Sequence, residues 1–416
     1  MTRRKLLKDS YSSVRSKRKK YILERCGLRK YCDGKINLAV MFLIVFGTVM
    51  ITSTNVGQAT SQSNVVLNTL IKQGVVIGIS YACMWGVNRA FSFRWFLPLR
   101  PVFFLIMMAL MGACFLYPAE KGAQAWIRIA GVTIQPGEFA KPFMFVLIAS
   151  CVVAARRNTK KCQNFWTFYR YPIVAMACFT VFLIFQRDLG TLFIILMIFL
   201  MGILIYDHPA LAKGKRLIKM CTYGILFLCL ASFFIPETGL KMIESTGFGH
   251  IATRIENAKN PYGDIYAGGY QPANSLYGIA SSNIVGKGIG NSSRKYGYLT
   301  QADNDYILAV TIEETGILGL GFITFCYGLI IYRLFKYAFK TNECAYKIVL
   351  SGTAMYLFMH FFLNVGGVAC LIPFTGVPLL FISSGGSSLM AICISIGLSQ
   401  QCISQIRVKE QKVCES

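Results

Sequence analysis

Residues 297–316 read GYLTQADNDYILAVTIEETG, and the change of character inside that stretch decides the fold. Up to Asp305 the chain is polar and rich in turn formers. From Tyr306 it turns apolar for the length of a bilayer crossing and carries Glu313 and Glu314 inward with it. Carboxylates are costly inside a bilayer, so they persist there with a partner or with a use. Backwards from Asp305, the polar segment reaches Pro236 and is made largely of Gly, Asn, Ser and Tyr, inside a chain that is otherwise apolar.

Hydrophobic residues make up 55% of the chain and charged residues 15%, against about 25% charged in an ordinary soluble domain. Windows of about 20 apolar residues predict spans at 36–54, 70–89, 97–117, 138–155, 171–186, 189–207, 217–236, 305–333, 347–371 and 377–402. The expected fold is an all-α polytopic membrane protein of about ten transmembrane helices, with a large extracytoplasmic loop between the seventh and eighth. The expected organisation is a basic tail over 1–35, a transmembrane domain over 36–403 with its outer loop at 237–304, and a C-terminal tail over 404–416. No cleavable signal peptide is expected, because the first apolar stretch is long enough to span and lacks a small-residue cleavage pattern.

The net charge of +25 follows the topology. Arg156, Arg157, Lys160 and Lys161 share one loop; Lys213, Lys215, Arg216 and Lys219 share the next on that side; Arg333, Lys336 and Lys340, then Arg407, Lys409 and Lys412, complete the set. Residues 53–68, on the other side, contain no Lys or Arg. That alternation predicts both termini in the cytoplasm, with attraction to anionic headgroups and no nucleic-acid role. Most of the 15 cysteines fall in apolar spans and none in the polar segment, which argues against a disulfide framework or a zinc site.

With that topology, four loops rich in unusual residues face the same, outer, side. They are Lys121–Pro142, Gln186–Thr191, the polar segment, and Pro373–Ser388. Their agreement predicts an extracytoplasmic site. Glu138 and Lys141, three residues apart, share a helix face and can neutralise each other; a purely structural ion pair explains them equally well. Gly385-Gly386 among serines suits close backbone approach or close helix packing. Ala302-Asp303-Asn304 reads as a helix start, which places Asp305 in the first turn, where the helix dipole favours a carboxylate. That setting suits a metal-holding or charge-stabilising group as well as a base.

These motifs in this order resemble the SEDS family of bacterial shape, elongation, division and sporulation proteins, from the first span to the last. The carriers are Gly122-Ala123 with Trp126-Ile127, Gln135-Pro136 with Glu138 and Lys141, Gln186 with Asp188 to Thr191, Gly269-Tyr270-Gln271 with Ser275, and Gly286 to Ser292 with Lys295. Asn304-Asp305-Tyr306, Glu313-Glu314 with Gly316, Asn364 with Gly366, Pro373 to Pro378, and Ser383 to Ser388 complete them. The resemblance implies a peptidoglycan glycosyltransferase that polymerises lipid II on the outer face of the bacterial cytoplasmic membrane, beside a class B penicillin-binding protein and other proteins of the division or elongation complex. The family's essential aspartate matches Asp305, and Gly290-Asn291-Ser292 with Lys295 and Asn304 leans towards the division type.

A diphosphate leaving group needs cations, for which Arg254 and Lys295 are the preferred residues, with Arg187 also available and Mg²⁺ or Mn²⁺ expected at Asp305. Gln271, Ser275, Glu138, Lys141 and Ser387 complete the expected substrate-binding set. Tyr266, Tyr270 and Tyr277 either stack on sugars or pack the loop. Departures from the family pattern stand at Ala125, Thr300, Gln301, Leu380 and Ser384, and they keep open a catalytically weak scaffold that recruits the penicillin-binding protein; the resemblance also implies a lipid II flippase as an alternative, against which the polar groups cluster on one side.

Overall fold

A computed structural model describes residues 32–58, 64–119, 123–129, 132–157, 164–231 and 249–414. The basic tail before residue 32 and residues 232–248 of the outer loop lie outside that set. Among the described residues a helix overlaps each of the expected spans. These helices are α1 (Gly34–Gln58), α2 (Val65–Ala90), α3 (Phe93–Ala113), α4 (Pro136–Arg157), α6 (Arg170–Phe185), α7 (Leu189–Ile205), α8 (Ala212–Ala231), α11 (Ile307–Lys340), α12 (Cys344–Val368) and α13 (Gly386–Cys414). Short helices α5 (Phe165–Phe168), α9 (Gly249–Lys259) and α10 (Tyr270–Ala280) lie between them, with a hairpin of β1 (Ile127–Ile129) and β2 (Val132–Ile134).

Among the described residues, seven of these helices are long and apolar enough to cross a membrane, while α6 and α7 are apolar but shorter. Their packing follows composition. The apolar windows of α4, α12 and α13 are 78%, 72% and 83% buried, so these helices form the centre, whereas α2 and α3, each 17% buried, present apolar side chains outward as lipid-facing helices do.

Three expectations change. The last helix starts at Gly386, nine residues after the expected 377, and continues through 404–414, the expected tail. The reason is visible at 369–385: Pro373 and Pro378 interrupt the helix, and side chains of neighbouring helices take up the freed carbonyls. Tyr327 donates to Leu380 O, and Asn364 to Val377 O at 2.9 Å, which makes irregular backbone tolerable inside a bundle.

The second change is in α11, which breaks at Gly316 (φ 69°, ψ −162°), a conformation open in practice to glycine alone. Loop 283–288 enters the break. Lys287 N donates to Glu313 O and Gly288 N to Glu314 O at 2.9 Å, while Ile317 N and Leu318 N donate to Asn283 O and Ile284 O at 3.3 and 3.2 Å. A methyl group at Gly316 would lie 2.3 Å from Ile284 O, so the loop and the helix approach as closely as glycine permits.

Third, α11 starts at Ile307 and its cap position is Tyr306, with no side-chain cap. Asp305 therefore stands just before the helix and not in its first turn, and the dipole argument for its charge loses force.

Candidate active site

The four polar clusters meet at one end of the bundle around a cavity of about 450 Å³. Each is held there by its own local structure. Pro136 opens α4, where proline's fixed φ costs nothing, and Glu138 lies in the first turn. Asp188 caps α7, accepting from Thr191 N at 3.1 Å and from Gln135 Nε2 at 2.6 Å, so one carboxylate ties the second cluster to the first. Arg187 beside it has φ 58°, an uncommon conformation for a residue with a side chain, and it lines the cavity.

The polar segment supplies Arg254 from α9 and Gln271 from α10, and Thr300, Gln301, Asn304 and Asp305 from the turns before α11. The Pro373–Ser388 stretch supplies the opposite wall. Gly376 (φ 68°) lets that wall turn so closely that a methyl group there would lie 3.9 Å from Asp305 Oδ2. Ser384 fixes its far end, with N donating to Asp303 O at 3.0 Å and Oγ to Asp303 Oδ2 at 2.9 Å.

The electrostatics are those of a partly desolvated, mixed-charge pocket. Burial draws the Arg254 guanidinium below its ordinary value, while Tyr306, Asp188 and Asp305 oppose the fall; arginine stays charged throughout. Burial pushes the Asp188 carboxyl above its usual range, against the Thr191 N–H and the Lys141 charge. Two buried oxygens on the walls, Asn304 Oδ1 and Thr375 Oγ1, have no hydrogen-bond partner among the described residues. Such groups are rare in folded proteins and ask for a ligand, an ion or water.

Asp305, Arg254, Arg187, Gln271, Glu138 and Ser387 of the expected set line this cavity. Three do not. Lys295 is 1% exposed; its ammonium donates to Glu314 Oε1 and Ser53 Oγ at 3.0 Å and to Gly290 O at 2.6 Å. All three donors are used, which corrects its expected role as a diphosphate contact. Lys141 lies beneath the floor, 2.6 Å from Glu138 Oε1 and 2.8 Å from His360 Nε2. Ser275 Oγ donates to Val368 O at 2.8 Å and fastens α10 to α12. Arg294 lies over Tyr277 and Tyr298, 5.3 and 5.1 Å from the ring centroids, and Tyr277 packs against Tyr262 at 5.6 Å, so this tyrosine packs the loop.

Lys72 of α2 lines the cavity and was not expected there, although a lysine inside an apolar span is itself a signal. His360, fully buried, was also missed, although the Asn364–Gly366 motif lies one helical turn away. Among the described residues no three His, Cys, Asp or Glu side chains form a metal-holding group.

A family model of cell cycle proteins, FtsW/RodA/SpoVE, matches residues 35–408. The chain belongs to this family. The resemblance to SEDS proteins read from its motifs is thereby established. It is 30% identical over 388 residues to the probable peptidoglycan glycosyltransferase FtsW of Bacillus subtilis (strain 168), covering 92% of this chain and 93% of that one. It is 32% identical over 282 residues to the peptidoglycan glycosyltransferase RodA of Mycobacterium leprae (strain TN), covering 66% of this chain and 57% of that one. The fold matches a chain in a solved peptidoglycan synthase complex (TM-score 0.65, 22% identity, 90% of this chain and 98% of that chain). It also matches the Thermus thermophilus rod shape determining protein RodA (TM-score 0.59, 19% identity, 89% and 96%).

Proposed function

We propose that this SEDS protein is a peptidoglycan glycosyltransferase that polymerises lipid II on the outer face of the bacterial cytoplasmic membrane, in septal synthesis and beside a class B penicillin-binding protein. The observation that carries the reading is the convergence of Asp305 and Arg254, from two parts of the polar segment, and of Arg187, from the Gln186–Thr191 loop, on one cavity whose walls hold oxygens unpartnered among the described residues. The alternation of basic loops supports cytoplasmic termini and an outward-facing cavity.

In this reaction the 4-hydroxyl of one N-acetylglucosamine attacks the anomeric carbon of the N-acetylmuramic acid on another lipid. A new C–O bond forms as the bond to the diphosphate breaks, the diphosphate leaves with the electron pair, and the hydroxyl loses its proton. Asp305 stands where a carboxylate can take that proton, with the Arg254 guanidinium near enough to interact with it. Arg254, Arg187 and Lys72 supply positive charge for the leaving diphosphate, the stabilisation such a step needs most.

The donors also fit a divalent cation shared with substrate: Asp305 with the oxygens of Asn304 and Thr375 would hold Mg²⁺ or Mn²⁺, which keeps waters and substrate phosphate oxygens in its shell. When bound, that ion supplies further neutralisation of the diphosphate.

The test is polymerisation of lipid II by the purified chain with its penicillin-binding partner, with and without divalent metal. Asp305→Ala is expected to abolish product while the protein still folds and binds its partner; undiminished polymerisation would sink the assignment. Lipid II transport into proteoliposomes that survives Asp305→Ala would favour the flippase.

A further inference from the structure

Beneath the cavity, one helix bonds to three of the segments that line it. Asn364 and His360 lie four residues apart on α12 and so project from one face, one turn above the other. Asn364 Nδ2 donates to Asp305 O and to Val377 O, both at 2.9 Å. The amide cannot be turned round, because its oxygen would then face two carbonyls. Its own Oδ1 is buried without a partner among the described residues, a cost the fold tolerates in order to present both N–H groups to the two sides of the cavity.

His360 does the same one turn deeper. Its Nδ1 lies 3.0 Å from Pro378 O; a carbonyl only accepts, so Nδ1 carries the hydrogen. Nε2 is then the acceptor for the Lys141 ammonium at 2.8 Å. Lys141 also holds Glu138 Oε1 at 2.6 Å, while Tyr356 Oη, again from α12, donates to Glu138 Oε2 at 2.9 Å. Floor, wall and Asp305 are thus joined through one buried polar network, with the Tyr306 and Phe374 rings stacked at 4.5 Å as a second fastening between the same two segments.

We propose that Asn364 and His360 are positioning residues for the glycosyl transfer, setting the separation between Asp305 and the Thr375–Pro378 wall without touching substrate. The proposal rests on the glycosyltransferase reading. It explains why a histidine and an asparagine occupy a span in which aliphatic residues would pack more simply. A displacement of about 1 Å at such a site can cost about 100-fold in rate, and the loss falls on the chemical step and not on binding.

The experiment compares four variants of the full chain, in complex with its penicillin-binding partner, by steady-state polymerisation of lipid II. His360→Leu and Asn364→Asp are expected to lower kcat by about 10- to 100-fold and to leave KM within about threefold. His360→Gln, which can both donate to Pro378 O and accept from Lys141, is expected to restore most of kcat, and Asn364→Leu to match Asn364→Asp. Thermal midpoints in detergent are read alongside. The clamp is overturned if kcat stays within about twofold of wild type, if KM alone changes, or if the losses track falling midpoints and His360→Gln rescues nothing. Wild type that polymerises while Asp305→Ala does not keeps the reading even where the clamp fails. A wild type inactive with partner and metal removes both.

Discussion

Asp305 and the pair Glu313–Glu314 are acids close in sequence, near the same end of the bundle, yet their surroundings differ in kind. Glu313 receives Lys287 Nζ at 2.6 Å, Ser293 Oγ at 2.9 Å, and the backbone N–H groups of Ser293 and Arg294 at 3.3 Å. Glu314 receives Ser53 Oγ at 2.7 Å, Lys295 Nζ at 3.0 Å and Ser292 N at 3.3 Å. Both are buried and saturated. Around Asp305, by contrast, the protein leaves a cavity, an arginine drawn towards several groups at once, and two orphaned oxygens. Saturated acids hold the loop to the helix; acids beside unfilled hydrogen-bonding capacity are where a substrate can be bound. Charge inside a membrane protein marks importance, and only the partners separate architecture from chemistry.

The hardest blow to that division is Glu314→Ala. It leaves the Lys295 ammonium, 1% exposed, without its counter-ion, and breaking a buried pair costs about 3–5 kcal/mol. The expected result is a large fall in thermal midpoint and in yield, with polymerisation per folded molecule kept. Glu314→Leu combined with Lys295→Met is expected to recover most of the midpoint, since replacing both partners by apolar groups is often near neutral. Specific activity that collapses in the double variant would place the pair in the chemistry after all.

Arg254→Ala probes the other side. Removing one charge-stabilising donor costs about 2.7–4 kcal/mol of transition-state stabilisation, so polymerisation is expected to fall by about 10²- to 10³-fold with the midpoint almost unmoved. Gly316→Ala comes next: the left-handed backbone strains any side chain by about 1–3 kcal/mol, and its methyl group meets Ile284 O. A lowered midpoint with loosened hydrogen exchange over residues 283–288 is the expected signature. An unchanged exchange pattern would mean that the loop does not depend on the break.

How much of this was legible before the structure follows the same line. Hydropathy located the helices because burial in lipid is a property of composition, and the alternation of basic loops was enough to bring four clusters to one end. Lys295 misled because sequence shows a cation near an expected site but not that all its donors are spent on Ser53, Gly290 and Glu314. The apolar run 377–382 looked like helix, and only Asn364, His360 and Tyr327, distant in sequence, make its irregular path affordable. Nothing local distinguishes Gly316 from glycines that merely allow close packing. Distances between side chains far apart in the chain are what the one-dimensional pattern lacks.

The smallest predicted effect concerns another acid, at the opposite end. Asp33 Oδ2 accepts from Arg333 Nε at 2.9 Å and from Arg407 Nη2 at 3.5 Å, and Oδ1 accepts from Lys35 N at 2.9 Å. Burial alone would raise its carboxyl, but the bonds from Arg333 and Tyr337, the Arg333 charge and the Ile36 N–H outweigh it, and the group lies below its ordinary value. A depressed folded value means stability that is complete above the unfolded value, about 3.9, and that is lost as pH falls below it towards the folded value. Thermal midpoints read from about pH 7 down to about pH 3 should therefore hold level and then drop as the carboxylate protonates. Asn at this position should lower the plateau slightly and flatten the drop. A drop of equal size in Asp33→Asn would assign the acid sensitivity to the cavity-side carboxylates Asp188 and Asp305 instead.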